Sequence, residues 1–280
     1  MRVRVAVSPD ADDLFMVRGL MLGAVDARGL DFTFTTADTE ALNRGAAGAD
    51  APDVSAISVA WYPSLAAEWA LLPHGGSVGR GYGPVLIARE PRDAASLRGA
   101  RIAVPGLRTT AYTVLRLVLG PFEPVVVPIV PPEAVFERLR AGEVDAALLI
   151  HEGRLTYAAE GFHLVLDTGA AWHAATGLPL PLGANAIRRS LGPEVIRRAS
   201  AALRDSIAHG LAHRDDAIAW LLRRGGPLQD AAAVDAYLSL YANADTLDYG
   251  PDGRAGVERL LAWGAAAGLL PACGPVDWAP

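Results

Sequence analysis

Apolar residues at every second position, Val3, Val5 and Val7, predict a half-buried first strand. Ser8-Pro9-Asp10 breaks that rhythm before Leu14, Met16, Val17 and Leu20 take up helical spacing. The alternation then repeats. Leu30 to Thr35 predicts a second strand followed by a short helix capped by Asp38 or Thr39, and Val54 to Ser58 predicts a third strand. Leu65, Ala66, Trp69 and Leu72 continue from it at helical spacing, and Pro84 to Arg89 predicts the next strand. From Arg89 the pattern restarts as though a new unit had begun. Strands are expected over Arg101 to Val104 and Val125 to Val130, with helices after Thr109-Thr110 and from Pro131-Pro132, the latter burying Val135, Phe136 and Leu139. Ala146 to Ile150 is short enough for a buried strand, and Leu164 to Leu166 reads as another. Leu178-Pro179-Leu180-Pro181-Leu182-Gly183 predicts a stiff extended crossing rather than a central ladder strand, because proline has no N–H to donate. Beyond Gly183 the chain reads as mostly helix. Its apolar stripes run Ile196, Ala199, Ala202, Leu203, Ile207 and Leu211, then Ile218 to Leu222, then Val257, Leu260, Leu261 and Trp263.

Composition narrows the function. The chain has 280 residues, half of them apolar, which is enough for one large or two ordinary domains with a full core. A net charge of −6 with no Lys/Arg cluster argues against nucleic acid and favours a small-molecule partner. No run reaches transmembrane length, and the N-terminus enters a strand directly without a signal-like apolar segment, so a cytoplasmic protein with no membrane association is expected. Cys273 is the only cysteine, which excludes an internal disulfide and any multi-cysteine metal site. The oligomeric state is not legible.

Candidate chemistry gathers where Ala146 to Ile150 ends in His151-Glu152-Gly153-Arg154. Ligands of open parallel sheets sit beyond the carboxyl ends of the strands, so His151 is expected to face a cleft; the alternative is a surface histidine that closes a strand. Thr109-Thr110 is either a helix cap or an anion site suited to a carboxylate. Asn43 reads as a ligand amide or a solvated residue, and Ser58 sits at a strand-to-helix corner. Asp10, Asp12 and Asp13 could form a metal or aspartyl-nucleophile cluster, but carboxylates in a helix's first turn ordinarily serve its free N–H groups and dipole, and that reading is preferred. The glycines from Gly75 to Gly83 lack the Gly-Lys-Ser/Thr of a phosphate loop and suit a tight turn beside a cleft. His74, His163, His173, His209 and His213 show no metal spacing, although Trp172 and His173 precede the return crossing and are candidates for ligand contact.

Four runs resemble the 1,4-dihydroxy-6-naphthoate synthase family of the futalosine route to menaquinone. They are Gly79-Arg80-Gly81-Tyr82-Gly83-Pro84, Val104-Pro105-Gly106 with Thr109-Thr110-Ala111-Tyr112, Leu148-Leu149-Ile150-His151-Glu152-Gly153-Arg154 with Thr156-Tyr157, and Thr176-Gly177-Leu178-Pro179-Leu180-Pro181-Leu182-Gly183. Weaker matches extend the likeness over nearly the whole chain. The resemblance implies an α/β, two-lobe, periplasmic-binding-protein-like fold of type II with two crossings and a central cleft. Residues 1–88 and 182–280 would form the larger lobe and 89–181 the smaller. It implies a carbon-carbon lyase that converts cyclic dehypoxanthinylfutalosine to 1,4-dihydroxy-6-naphthoate, with His151 as general base. Asn43, Ser58, Thr109 and Thr110 would line the substrate pocket, with no cofactor and no metal. The substrate carries a carboxylate, which fits Thr109-Thr110. One corner departs: where the family reads Ser-Pro-Cys-Pro-Asn-Asp-Thr-Phe, this chain reads Ser8-Pro9-Asp10-Ala11-Asp12-Asp13-Leu14-Phe15. Added acid beside a carboxylate ligand is unfavourable unless the acids face solvent or pair locally. A solute-binding or sensor paralogue that binds without turnover is the alternative.

Overall fold

In the computed structural model, which describes residues 1–128 and 133–280, the chain forms two mixed sheets with helices packed on them. In order, the elements begin β1 (Arg2–Val7), α1 (Ala11–Met21), β2 (Asp31–Thr36), α2 (Thr39–Ala46), β3 (Val54–Ser58), β4 (Trp69–Leu71), β5 (Ser77–Gly79) and β6 (Val85–Ala88). There follow β7 (Arg101–Val104), α3 (Thr110–Leu119), β8 (Glu123–Val126), α4 (Glu133–Arg140), β9 (Ala146–Leu149), α5 (Gly153–Thr156), β10 (His163–Asp167) and α6 (Thr168–Thr176). The last part is β11 (Leu180–Arg188), α7 (Pro193–Ala212), α8 (Arg214–Arg224), α9 (Ala231–Tyr241), α10 (Ala244–Leu247) and α11 (Gly250–Ala266).

The first sheet has the order β2-β1-β3-β11-β4, with β5 also paired to β11. The second has the order β10-β6-β9-β7-β8. The chain therefore passes from one sheet to the other between β5 and β6 and returns between β10 and β11. Strand β6, grouped with the first lobe by the sequence division at 88, lies in the second sheet, antiparallel to β9 and β10.

The hydrophobic pattern explains the layers. Val3, Val5 and Val7 all face one cluster with Val17, Leu20 and Leu203, so the outward period of β1 seats α1 and α7 on that face. Strand β9 is apolar at every position because both its faces are covered: Ala147 and Leu149 enter one cluster, Ala146 and Leu148 another.

Three expectations give way here. The segment after Ser58 is a short 3-10 turn, Val59–Ser64, with Pro63 inside it, and Trp69–Leu71 is a strand rather than a continued helix. Its residues pair with β11, and that sheet contact overrides the helical spacing of Leu65, Trp69 and Leu72. Leu180 to Gly183 is not a bare crossing but the start of β11, a central strand of the first sheet. Pro181 is tolerated because that end of β11 pairs only with β5, through an irregular register between Pro181 and Gly183, and pairing with β3 begins at Gly183. Strand β8 ends at Val126, and the expected continuation to Val130 and the Pro131-Pro132 helix start reach into residues 129–132, outside the described residues.

Candidate functional site

The carboxyl ends of five parallel-paired strands converge on one cleft. Ser8 and Asp10 follow β1, Thr39 follows β2, Ser58 closes β3, Thr109 follows β7 and His151 follows β9. All six line a cavity with an empty volume of about 760 Å³ including its mouth, which is the scale of a small-metabolite site. Residues of both sheets form its walls, with Tyr237 and Tyr241 of α9 and Leu182 of β11 closing another side.

His151 is the centre of the polar network. Its backbone takes the left-handed conformation, φ 52°, which a side-chain-bearing residue adopts only at a cost of about 1–3 kcal/mol. The ring's Nδ1 lies 2.5 Å from Asp10 Oδ2, and its Nε2 lies 3.1 Å from the Thr39 hydroxyl. Burial alone would make the imidazole less basic, but the carboxylates of Asp10, Asp12 and Glu152 outweigh it and push the pKa up to about 10. A ring with this pKa is an imidazolium at neutral pH.

The acids of the divergent corner are buried and pair locally. Asp10 receives a short hydrogen bond from the Ser8 hydroxyl as well as the histidine contact. Asp12 accepts from Ser77 Oγ at 2.7 Å and from the Tyr237 hydroxyl at 2.9 Å, and Asp13 accepts from the Ser8 N–H at 2.6 Å. Glu152 accepts from the Ala11 N–H at 3.2 Å, and burial, reinforced by the negative charge of Asp10, raises its pKa to about 7. Burial and neighbouring carboxylates likewise raise Asp12 and Asp13 above the ordinary range. The expectation that these acids serve the first turn of α1 is therefore corrected: Asp10 occupies the N-cap position, yet its side chain makes no cap hydrogen bond.

Asp10, Asp12 and His151 bring one ligand atom each within 4.8 Å of the others, a geometry open to a cation. Three protein donors match the number in a catalytic zinc site. Here, however, each is already engaged: Nδ1 with Asp10, and both Asp12 oxygens with Ser77 and Tyr237. A metal would have to displace those partners.

The other expected site residues divide into two groups. Ser58 lines the cleft, and its hydroxyl oxygen accepts from Asn43 Nδ2 at 3.0 Å, which leaves the O–H to donate. Asn43 itself is fully buried and does not line the cleft. It accepts from the Ser58 N–H at 2.8 Å and donates to Ser58 and to the Arg108 carbonyl, so it positions the Ser58 corner rather than presenting an amide to a ligand. Thr109 and Thr110 reach the cleft, but their hydroxyls serve the backbone. Thr109 Oγ1 caps α3 by accepting from the Tyr112 N–H and donates to the Gly106 carbonyl. Thr110 Oγ1 donates to the Leu182 carbonyl and accepts from the Ala60 N–H. What this helix start offers an anion is its first-turn N–H groups and dipole.

Arg154, quoted within the His-Glu-Gly-Arg run, donates to Asp167 Oδ2 at 2.7 Å and to the Gly83 carbonyl. Trp172 is buried with its N–H on the Pro179 carbonyl, and His173 is exposed; neither lines the cleft. Sequence reasoning missed Thr39, Ser77, Tyr237 and Tyr241 as cleft residues. Thr39 carried a signal, since it begins a helix directly after a strand, whereas Tyr237 and Tyr241 lie on α9, a stretch outside the apolar stripes read from the sequence.

Two sheets, two crossings and a cleft between them define a two-lobe α/β architecture. The periplasmic aliphatic sulphonate binding protein SsuA of Escherichia coli superposes with a TM-score of 0.62 at 16% identity, covering 99% of this chain and 90% of that one. The fold is thus that of the periplasmic binding proteins. Within it the relationship is closer: the family model described as menaquinone biosynthesis matches residues 3–266, and the chain belongs to that family. It is 39% identical to the 1,4-dihydroxy-6-naphthoate synthase of Streptomyces coelicolor over 98% of this chain and 96% of that protein. It is also 39% identical to the enzyme of the same name from Thermus thermophilus, over 95% of each. The crystal structure of protein AF1704 from Archaeoglobus fulgidus is 40% identical with a TM-score of 0.88, covering 96% of this chain and 98% of that one. The relatives are enzymes of biosynthesis, and so is this protein. Among the described residues no helix is long and apolar enough to cross a membrane.

Proposed function

We propose that the protein is a carbon-carbon lyase of menaquinone biosynthesis that converts cyclic dehypoxanthinylfutalosine to 1,4-dihydroxy-6-naphthoate, with His151 as the proton-transferring group. The observation that carries this reading is the placement of His151: a strained strand end, facing the cleft, with Nε2 at 3.1 Å from the Thr39 hydroxyl. Breaking a carbon skeleton beside a carbonyl or a forming aromatic ring calls for proton removal, and a positioned base contributes about 10² to 10⁴ in rate. The Ser58 hydroxyl is free to orient a substrate hydroxyl, and the α3 start around Thr109 and Thr110 suits the aryl carboxylate through its backbone N–H groups. Asn43 supports this arrangement from behind Ser58. A biosynthetic reaction on a small molecule, with no membrane-spanning helix among the described residues, fits a cytoplasmic enzyme.

With its pKa raised to about 10, His151 must lose the Nε2 proton before it acts as a base. The expected kcat/KM therefore rises with pH, roughly tenfold per unit between pH 7 and 9, and levels near the imidazole's pKa of about 10. Purified protein is incubated with the cyclic futalosine derivative while naphthoate absorbance is followed. Turnover in the wild type and a loss of about 10² or more in kcat for His151→Ala support the reading. Undiminished activity of His151→Ala removes the base assignment, and calorimetric binding without product points to a paralogue that only binds.

A further inference from the structure

Among the described residues, helices α2, α6 and α9 and the 3-10 turn Ala94–Leu97 begin at an aspartate whose carboxylate accepts an N–H of its own helix or turn: Asp38, Asp167, Asp230 and Asp93. Asp10 has the same extended backbone at the start of α1 and makes no such bond. Its carboxylate is turned instead to His151, 2.5 Å from Nδ1, and is steadied on its other oxygen by the Ser8 hydroxyl. The Asp10 side chain is 5% exposed and that of His151 21%, so the carboxylate end of the pair is largely shielded from water and weakly screened by salt. A cap bond worth about 1 kcal/mol is forgone for this contact.

We propose that Asp10 is the positioning residue of His151: its carboxylate keeps a proton on Nδ1 and thereby makes Nε2 the nitrogen presented to Thr39 and the cleft. This rests on the proton-transfer role proposed above for His151. An imidazole held at only one nitrogen can present either tautomer, whereas a carboxylate on Nδ1 admits only the form with Nε2 free to take a proton. When a substrate C–H is cleaved, its proton passes to Nε2 and the electron pair remains on the substrate carbon. The Nδ1 proton stays between the ring and Asp10, and no oxidant or reductant enters. The pair also links the two sheets, because Asp10 follows β1 and His151 follows β9. The ring is thus aimed only when both walls of the cleft are in place.

The charged and titratable groups that face the ring come from three places. Asp10, Asp12 and Asp13 stand at the α1 start, Glu152 on the histidine's own turn, and Tyr237 of α9 behind Asp12. Arg154, also on the cleft, is paired with Asp167. Of these carboxylates Asp10 is the one in salt-bridge contact with the ring, and because its charge also raises Asp12, Asp13 and Glu152, Ser8→Ala, which leaves that charge in place, is read beside Asp10→Asn.

The test titrates the imidazole nitrogens by NMR in the full-length wild type, in Asp10→Asn and in the milder Ser8→Ala, alongside pH profiles of kcat/KM. The His151 midpoint is expected to fall by at least about one unit toward the ordinary value near 6.5 in Asp10→Asn, and by less in the same direction in Ser8→Ala. The low-pH limb of kcat/KM moves with it, and kcat on the plateau drops by roughly tenfold to a hundredfold with KM held within about threefold. An unshifted midpoint and limb in either folded variant overturn the proposal; if Asp10→Asn does not fold, Ser8→Ala decides. The titration needs no substrate. A shifted midpoint in a protein that turns over nothing sinks the lyase reading and leaves Asp10 in its role, whereas normal turnover with an unshifted midpoint does the reverse.

Discussion

Asn43 shows how a residue type can be informative while its role is not. An amide in a short helix after a strand reads equally as ligand contact or as surface, and the structure makes it neither: three hydrogen bonds, one of them from the Ser58 N–H, hold the corner that presents Ser58. Removing the amide leaves that N–H buried without an acceptor, which costs about 1–3 kcal/mol, and opens a small void beside it. Asn43→Ala is expected to lose about 2–4 kcal/mol of stability in urea unfolding with an unchanged denaturant slope, and Asn43→Asp, which keeps an oxygen to accept the Ser58 N–H although it gives up the donated bonds, to lose less. Equal losses in the two variants would show that side-chain volume, not the accepted hydrogen bond, is what counts there. His74 behaves in the opposite sense to His151. Buried, with the Arg204 charge near it, it is held neutral with its pKa lowered to about 4. The two residues share a ring chemistry and differ only in their neighbours.

At the scale of elements, the glycine-dense stretch before β6 works by close approach. A Cβ on Gly169, at the start of α6, would lie 2.0 Å from the Tyr82 carbonyl carbon and oxygen, both backbone atoms. One on Gly83 would lie 2.9 Å from the Gly169 nitrogen. The turn therefore packs directly on the helix start, and its Gly83 carbonyl is free to receive Arg154. Because backbone cannot swing aside as a side chain can, Gly169→Ala is expected to destabilise by roughly 1–3 kcal/mol and to displace the Tyr82–Pro84 wall of the cleft. Thermal unfolding reads the first effect and KM the second. A variant as stable as the wild type with unchanged KM would show that the two segments separate freely.

Across the whole molecule, charge ties the two sheets together through the Asp10–His151 pair, and the tie depends on pH. A histidine whose folded pKa of about 10 exceeds the ordinary 6.5 stabilises the fold fully below pH 6.5, and that contribution is lost as the pH climbs through 10. Folding takes up a proton across this window, so stability must fall with rising pH. The midpoint of thermal unfolding is expected to drop between pH 7.5 and 10 by roughly 5 °C or more in excess of the drop in Asp10→Asn, which lacks the partner. Parallel curves for the two proteins would place the histidine's proton elsewhere.

The sequence by itself determined the strand-helix alternation, the restart near Arg89, and the position of His151 at a strand's end, because period and local turn chemistry are written residue by residue. The relationship to the menaquinone family was legible too, in runs such as His151-Glu152-Gly153-Arg154 that are short enough to read without a fold. Tertiary structure alone decided that Leu180–Arg188 is a central strand despite Pro181, since tolerance of a missing N–H depends on which neighbour lies on that side. It alone decided that Thr109 and Thr110 spend their hydroxyls on the backbone, and that Asp10 leaves its own helix to meet an imidazole 141 positions away in the chain. A carboxylate's partner is whichever group the folded chain brings within hydrogen-bond reach. Sequence separation carries no trace of that distance.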